Sequence, residues 1–123
     1  MKRTDSFEFR DAPALDANMF VARIPAGLTT AEALLHAVYE QAHLPGYFGF
    51  NWDALSDCLR DLHWVGAHDV VLLHADLPKL PPAELRTYLD VLAESVASWA
   101  PGEEHSLRVF FPSAARIQVA DLD

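Results

Sequence analysis

A chain of 123 residues, 51% hydrophobic, has enough apolar material for one domain with its own core and needs no cross-links to hold it. Its formal charge of -9, from 18 acids against 9 bases, argues against a protein that grips nucleic acid through phosphate contacts, and suits either solubility or a basic partner drawn in by long-range attraction. Cys58 is the one cysteine, which excludes an internal disulfide and a cysteine-based zinc site; Lys2 and Arg3 precede no apolar leader and no run reaches membrane length, so a cytoplasmic protein is the simplest expectation.

Along the chain, Phe7-Glu8-Phe9 alternates and predicts a short edge strand. Residues 18 to 24 predict a strand with Phe20, Ala22 and Ile24 on one face, closed by Pro25 and Gly27. Thr29 and Thr30 are capping candidates for a helix to about His43, with Ala31, Leu34, Leu35, Val38 and Ala42 at helical spacing. A turn follows, built from Pro45, Gly46 and Gly49 around Tyr47 and Phe48. Asn51 is a favourable N-cap for a second helix ending near His63 or Trp64. Val70 to Leu73 is continuously apolar, as buried parallel strands are. Pro81 and Pro82 open a third helix running to about Trp99, with Leu85, Leu89, Leu92 and Val96 as its core stripe, and Pro101 and Gly102 stop it. Leu107 to Phe111 is a further strand, and Ile117 with Val119 suggests a last short one. Strands separated by helices predict an α/β fold: a small three-stranded parallel sheet packed with helices, with short extra edge strands from the termini. The whole chain, 1–123, is expected to form a single domain with its core at about 18–112, and to be monomeric, since no heptad or second apolar face occurs.

The second helix carries an unusual charge pattern. At about 100° per residue, Trp52, Leu55, Leu59 and Leu62 form one stripe, and Asp53, Asp57 and Asp61 fall on the opposite side. Asp53 sits in the first turn, where the helix dipole favours a negative charge. Asp57 and Asp61 have no such help, and like charges at i, i+4 cost about 0.2–0.5 kcal/mol per pair. Arg60, three residues after Asp57, is placed to offset part of that cost. One reading is a solvated face opposite a core stripe; the sharper one is a row of carboxylates displayed to a cationic site, imitating the phosphates of a nucleic acid. The preceding turn lacks both G-x-G-x-x-G and a P-loop lysine, and the aspartates behind it would repel a phosphate. Phe48 reads as a core aromatic. Tyr47, with a hydroxyl to satisfy, reads as an interface anchor.

The remaining chemistry-bearing residues are less suggestive. The six histidines are scattered, none forms H-E-x-x-H, and only His74-Ala-Asp76 is locally suggestive, so neither a metal nor another cofactor is expected. Asp53 and Asp57 as an acid/base pair would need a pocket to tune them, which an outward helix face does not supply. Cys58 reads as a half-buried small hydrophobe whose acidic neighbours raise its pKa. Trp64 and Trp99 read as core or core-edge residues.

The stretch Leu44 to Leu59, read as L-P-x-Y-[YF]-G-x-N-x-D-A-L-x-D-C-L, resembles the signature of the barstar family, intracellular inhibitors of the secreted bacterial ribonuclease barnase. The likeness extends through the element order from about residue 18 to 112. It implies a small α/β domain with a three-stranded parallel sheet, whose acidic helix and preceding loop plug a ribonuclease active site. Carried over, Asp57 aligns with the family's central aspartate, which occupies the site of the substrate phosphate, and Asp53 with a second contact acid. Tyr47 aligns with the loop tyrosine that packs on the enzyme's catalytic histidine, and Gly49 and Asn51 with positions that shape the approach. Glu94, within Leu89 to Glu94, resembles another interfacial glutamate. Phe50 stands where the family has an acid, Ser56 replaces a tryptophan, and Arg60 and Asp61 replace a small neutral pair. These departures bear on the choice of partner: a basic ribonuclease other than barnase, or a related toxin with a cationic site.

The leading expectation is therefore a non-enzymatic, barstar-like ribonuclease inhibitor that binds a protein, not nucleic acid or membrane. The alternatives are a scaffolding or regulatory protein of the same fold with a different basic partner, and a small hydrolase, which would need a concave pocket with convergent titratable groups.

Overall fold

The computed structural model describes residues 2–122. Four strands, β1 (Glu8–Phe9), β2 (Met19–Ile24), β3 (Asp69–His74) and β4 (Ser106–Phe111), form one sheet. All pairs are parallel, in the order β1-β4-β3-β2. Four helices accompany them: α1 (Ala31–Gln41), α2 (Trp52–Leu59), α3 (Pro82–Ser98) and α4 (Ala115–Ala120), with a 3-10 turn at Arg3–Ser6. The three expected strands are β2, β3 and β4.

Strand periodicity sorts the side chains. Ala22 and Ile24, Val70 and Leu72, and Leu107, Val109 and Phe111 point to one face and join the main core with Leu34 and Val38 of α1, Leu55 and Leu59 of α2, and Tyr88, Leu89 and Leu92 of α3. Val71 and Phe110 alternate to the other face, yet are 0% and 1% exposed, so the middle of the sheet is covered on both sides, as the unbroken apolar run of β3 requires.

The expected N-terminal edge strand exists as β1, where Glu8 and Phe9 pair with Phe110 and Phe111. Two contacts fix it there. Arg108 donates from Nε and Nη2 to the two Glu8 oxygens, each at 2.8 Å, and Phe7, Phe9 and Phe111 form a ring cluster with centroids 5.4–6.5 Å apart. The expected strand at Ile117 and Val119 is instead helix α4. There Ala115 and Val119, four residues apart, are buried, while Ile117 is 72% exposed; a helical spacing is satisfied and the period-two apolar pair is accidental.

Two helices stop earlier than their apolar patterns suggest. α1 ends at Gln41 because His43 adopts φ 53°, and the N–H groups of Leu44 and His43 return to the carbonyls of Tyr39 and Glu40. α2 ends at Leu59, not near His63, because Leu62 takes φ 54° and turns its side chain back into the core, where it is 1% exposed.

Candidate functional site

The site starts with a cap. The Asn51 side chain accepts from the Ala54 N–H at 2.8 Å, and its amide donates to the Gly49 carbonyl at 3.3 Å, so one residue both starts α2 and ties the loop to it. A Cβ on Gly49 would sit 3.3 Å from that same Asn51 amide nitrogen, so a larger residue would push the capping amide by a few tenths of an ångström. The turn closes through the Phe48 N–H to the Pro45 carbonyl, 3.0 Å. Phe48 is buried and anchors the loop, as expected, and Tyr47 projects outward, 69% exposed.

Helix α2 lies on α3. Leu55 and Leu59 are fully buried and the Trp52 ring meets Tyr88 at 5.8 Å. Two indoles clamp the assembly: Trp99 Nε1 donates to the Leu59 carbonyl at the end of α2, 3.0 Å, and Trp64 Nε1 donates to the Ala42 carbonyl at the end of α1, 3.1 Å. The two tryptophans are thus partly buried capping groups at the core edge.

With the apolar stripe buried, Asp53, Asp57 and Asp61 are exposed. Asp57 has a side chain 78% exposed, with a single long contact to Arg60 Nη2 at 3.4 Å; Arg60 is in turn steadied by its Nε donating to the Ser56 carbonyl. Asp61 meets His63 Nδ1 at 2.7 Å. Tyr47, Asp57 and Asp61 come together around a small surface pocket of about 230 Å³ floored by Phe48, Ala54 and Cys58. Desolvation, with Cys58 and Asp61 adding, holds the Tyr47 hydroxyl above its ordinary value, so it stays a neutral donor. Burial first, then Asp61 and Asp57, push the Cys58 thiol up, which disfavours the thiolate; it is only 4% exposed, more buried than its place on the helix suggests. Glu94 is exposed on α3, the helix beneath α2, and does not line this pocket.

One neighbouring feature was not legible. Phe50, between Gly49 and Asn51, sits at φ 53°, an outlier for a bulky side chain. Its ring, 38% exposed, stacks on His36 at 4.3 Å and meets Phe48 and Tyr39 at 4.9 and 5.0 Å. His36 and Tyr39 lie one turn apart on α1, a helical spacing that could have flagged them as a pair, but nothing in the residue order places Phe50 against them.

Among the described residues no cluster of three or more His, Cys, Asp or Glu could hold a metal ion. The His74-Ala-Asp76 pair is otherwise employed. His74 Nδ1 lies 3.0 Å from the Phe110 carbonyl, which can only accept, so Nδ1 carries the proton and Nε2 accepts from the Tyr88 hydroxyl at 2.6 Å. Burial pushes the His74 pKa down to about 4. Asp76 accepts from the Gly27 N–H at 3.0 Å. No helix among the described residues is long and apolar enough to cross a membrane.

Fold and surface together define a small parallel α/β protein that displays a row of carboxylates beside an aromatic loop. The chain belongs to the barstar family: residues 19–112 match the family model described as Barstar (barnase inhibitor). A comparison with curated proteins returns no match. The matched span runs from β2 to just past β4, leaving β1, the segment after it and α4 outside.

Proposed function

We propose that the protein is an inhibitor of a basic, barnase-type ribonuclease or related toxin, and that α2 with the loop before it occupies the enzyme's active site in place of RNA. The observation that carries this reading is the exposure of Asp53, Asp57 and Asp61 on the side of α2 opposite its buried stripe, beside an outward Tyr47. Folding gains little from these carboxylates. Against the arginines, lysines and histidine of a ribonuclease site they would form charge-assisted hydrogen bonds, with Asp57 in the place of a substrate phosphate. Tyr47 would pack on the catalytic histidine. Asn51 and Gly49 fix the loop, Asp53, Asp61 and Glu94 extend the acidic surface, and Arg60 releases Asp57 as the enzyme docks, a contact that is exposed on both sides and cheap to break. The protein would act as a cytoplasmic monomer without a cofactor.

A hydrolase reading is weaker. An acid/base pair needs desolvated, convergent groups, whereas the Asp57 and Asp61 side chains are 78% and 47% exposed. The test is inhibition of a panel of basic bacterial ribonucleases and related toxins by the purified protein. Stoichiometric inhibition of at least one, abolished by Asp57→Ala, is expected. Inhibition of none, or inhibition indifferent to that substitution, would overturn the reading.

A further inference from the structure

A second concave site lies at the carboxyl edge of the sheet. β1 and β2 are parallel but occupy opposite edges, so the chain between them must leave the carboxyl end of β1, pass the intervening strands and return to the amino end of β2. On the way, residues 10–15 wall off a cleft of about 780 Å³ over the carboxyl ends of β2 and β3. It shares no residue with the pocket beneath Tyr47, and its N-terminal wall lies outside the span matched by the family model. α/β folds bind small ligands outside the carboxyl ends of strands at a reversal of strand order; β2 and β3 flank no reversal, so here the β1–β2 connection itself forms the wall, and the volume lies within the range of about 300–1,000 Å³ of small-molecule sites.

Two arginines and one carboxylate line this cleft. Arg3, Arg60 and Arg108 each have a carboxylate partner. Arg10 and Arg23, both exposed, have none among the described residues, which is equally true of Arg86 and Arg116; what sets Arg10 and Arg23 apart is that both line one cleft. The carboxylate in the lining, Asp11, is already engaged: its two oxygens accept from the Ser113 N–H at 3.0 Å and the Ser113 hydroxyl at 2.7 Å. Leu15 and Leu73, both part-exposed, supply an apolar wall. Guanidinium forks match the paired oxygens of phosphate and carboxylate. The remaining acids of the molecule are screened over about 8 Å at physiological ionic strength, so the local charge decides.

We infer that this cleft binds a small organic anion: an oxyanion, phosphate or carboxylate, carried on an apolar body. The site is independent of the acidic face and of whether that face inhibits a nuclease. The full chain is titrated, with amide shifts followed by NMR, against AMP, adenosine, inorganic phosphate and 3-phenylpropionate. AMP or 3-phenylpropionate should saturate shifts at residues 10–15, 23–25 and 73–75, and whichever binds identifies the oxyanion. Adenosine, lacking the anion, and inorganic phosphate, lacking the body, should each bind at least tenfold more weakly. The Arg10→Gln, Arg23→Gln double variant should lose at least tenfold in affinity with an unchanged melting temperature, because both side chains are exposed. Saturation by neither organic anion, equal binding of adenosine or phosphate, or undiminished binding by the folded double variant would each overturn the inference.

Discussion

Asp57 concentrates the argument at the scale of single residues. It sits on the outward side of α2 and its contact with Arg60 is long and solvent-exposed, so its contribution to folding is small. Asp57→Ala should therefore change the unfolding free energy by less than about 0.5 kcal/mol in urea titration. Removing one partner of a desolvated ion pair costs about 3–5 kcal/mol, so the same substitution should weaken nuclease binding on the order of 100-fold or more. Asn51 has the complementary signature. Asn51→Ala removes the cap at Ala54 and the tie to Gly49, and should lower stability by about 1 kcal/mol, measured the same way, while also loosening the loop. The acids and the cap were legible in the sequence because helical spacing and N-cap chemistry are local rules. Phe50 was not: a left-handed phenylalanine leaves no trace in residue type, and its partners His36 and Tyr39 come from another helix.

Among the elements, the placement of α2 matters most. The acidic row faces outward because Leu55, Leu59 and Leu62 face inward, and the helix is held on α3 by that stripe and by the indole of Trp99. Trp99→Phe keeps much of the ring but leaves the Leu59 carbonyl without its donor. It should cost about 1–3 kcal/mol in thermal or urea unfolding and, on the proposed function, should also weaken inhibition, because α2 is then less firmly fixed. A loss of stability with fully native inhibition would show that the clamp does not position the face. The order of strands and helices could be read in advance since β2, β3, β4 and the long helices follow clear periods. The tail could not. Ile117 and Val119 imitate a strand, and only the burial of Ala115 and Val119 against the rest of the fold identifies a helix. The ends of α1 and α2 were overrun for a related reason, since His43 and Leu62 adopt left-handed conformations that glycine would have announced.

For the whole molecule, pH and salt are the informative variables. The His74 pKa lies at about 4 in the folded protein against an ordinary 6.5, so the unfolded chain takes up the proton first. Stability from this group is intact above pH 6.5, drains away as pH falls to about 4, and is flat below; at about 1.4 kcal/mol per unit the loss is about 3 kcal/mol. Urea unfolding across that range should show the slope, and His74→Gln, which can still donate to the Phe110 carbonyl and accept from Tyr88, should flatten it. The formal charge of -9 should steer a basic partner, so the association rate should fall roughly tenfold or more between low and high salt in stopped-flow mixing.

The central claim is that carboxylates on α2 take the place of RNA phosphates. It is tested most directly by titrating the protein into a free ribonuclease of a kind that it inhibits, in the presence of rising concentrations of a non-cleavable substrate oligonucleotide. Strict competition is predicted, with the apparent dissociation constant rising in proportion to the oligonucleotide and the competition lost with the binding itself in Asp57→Ala. An affinity unchanged by saturating oligonucleotide would mean that the two ligands occupy different surfaces, and would contradict the account.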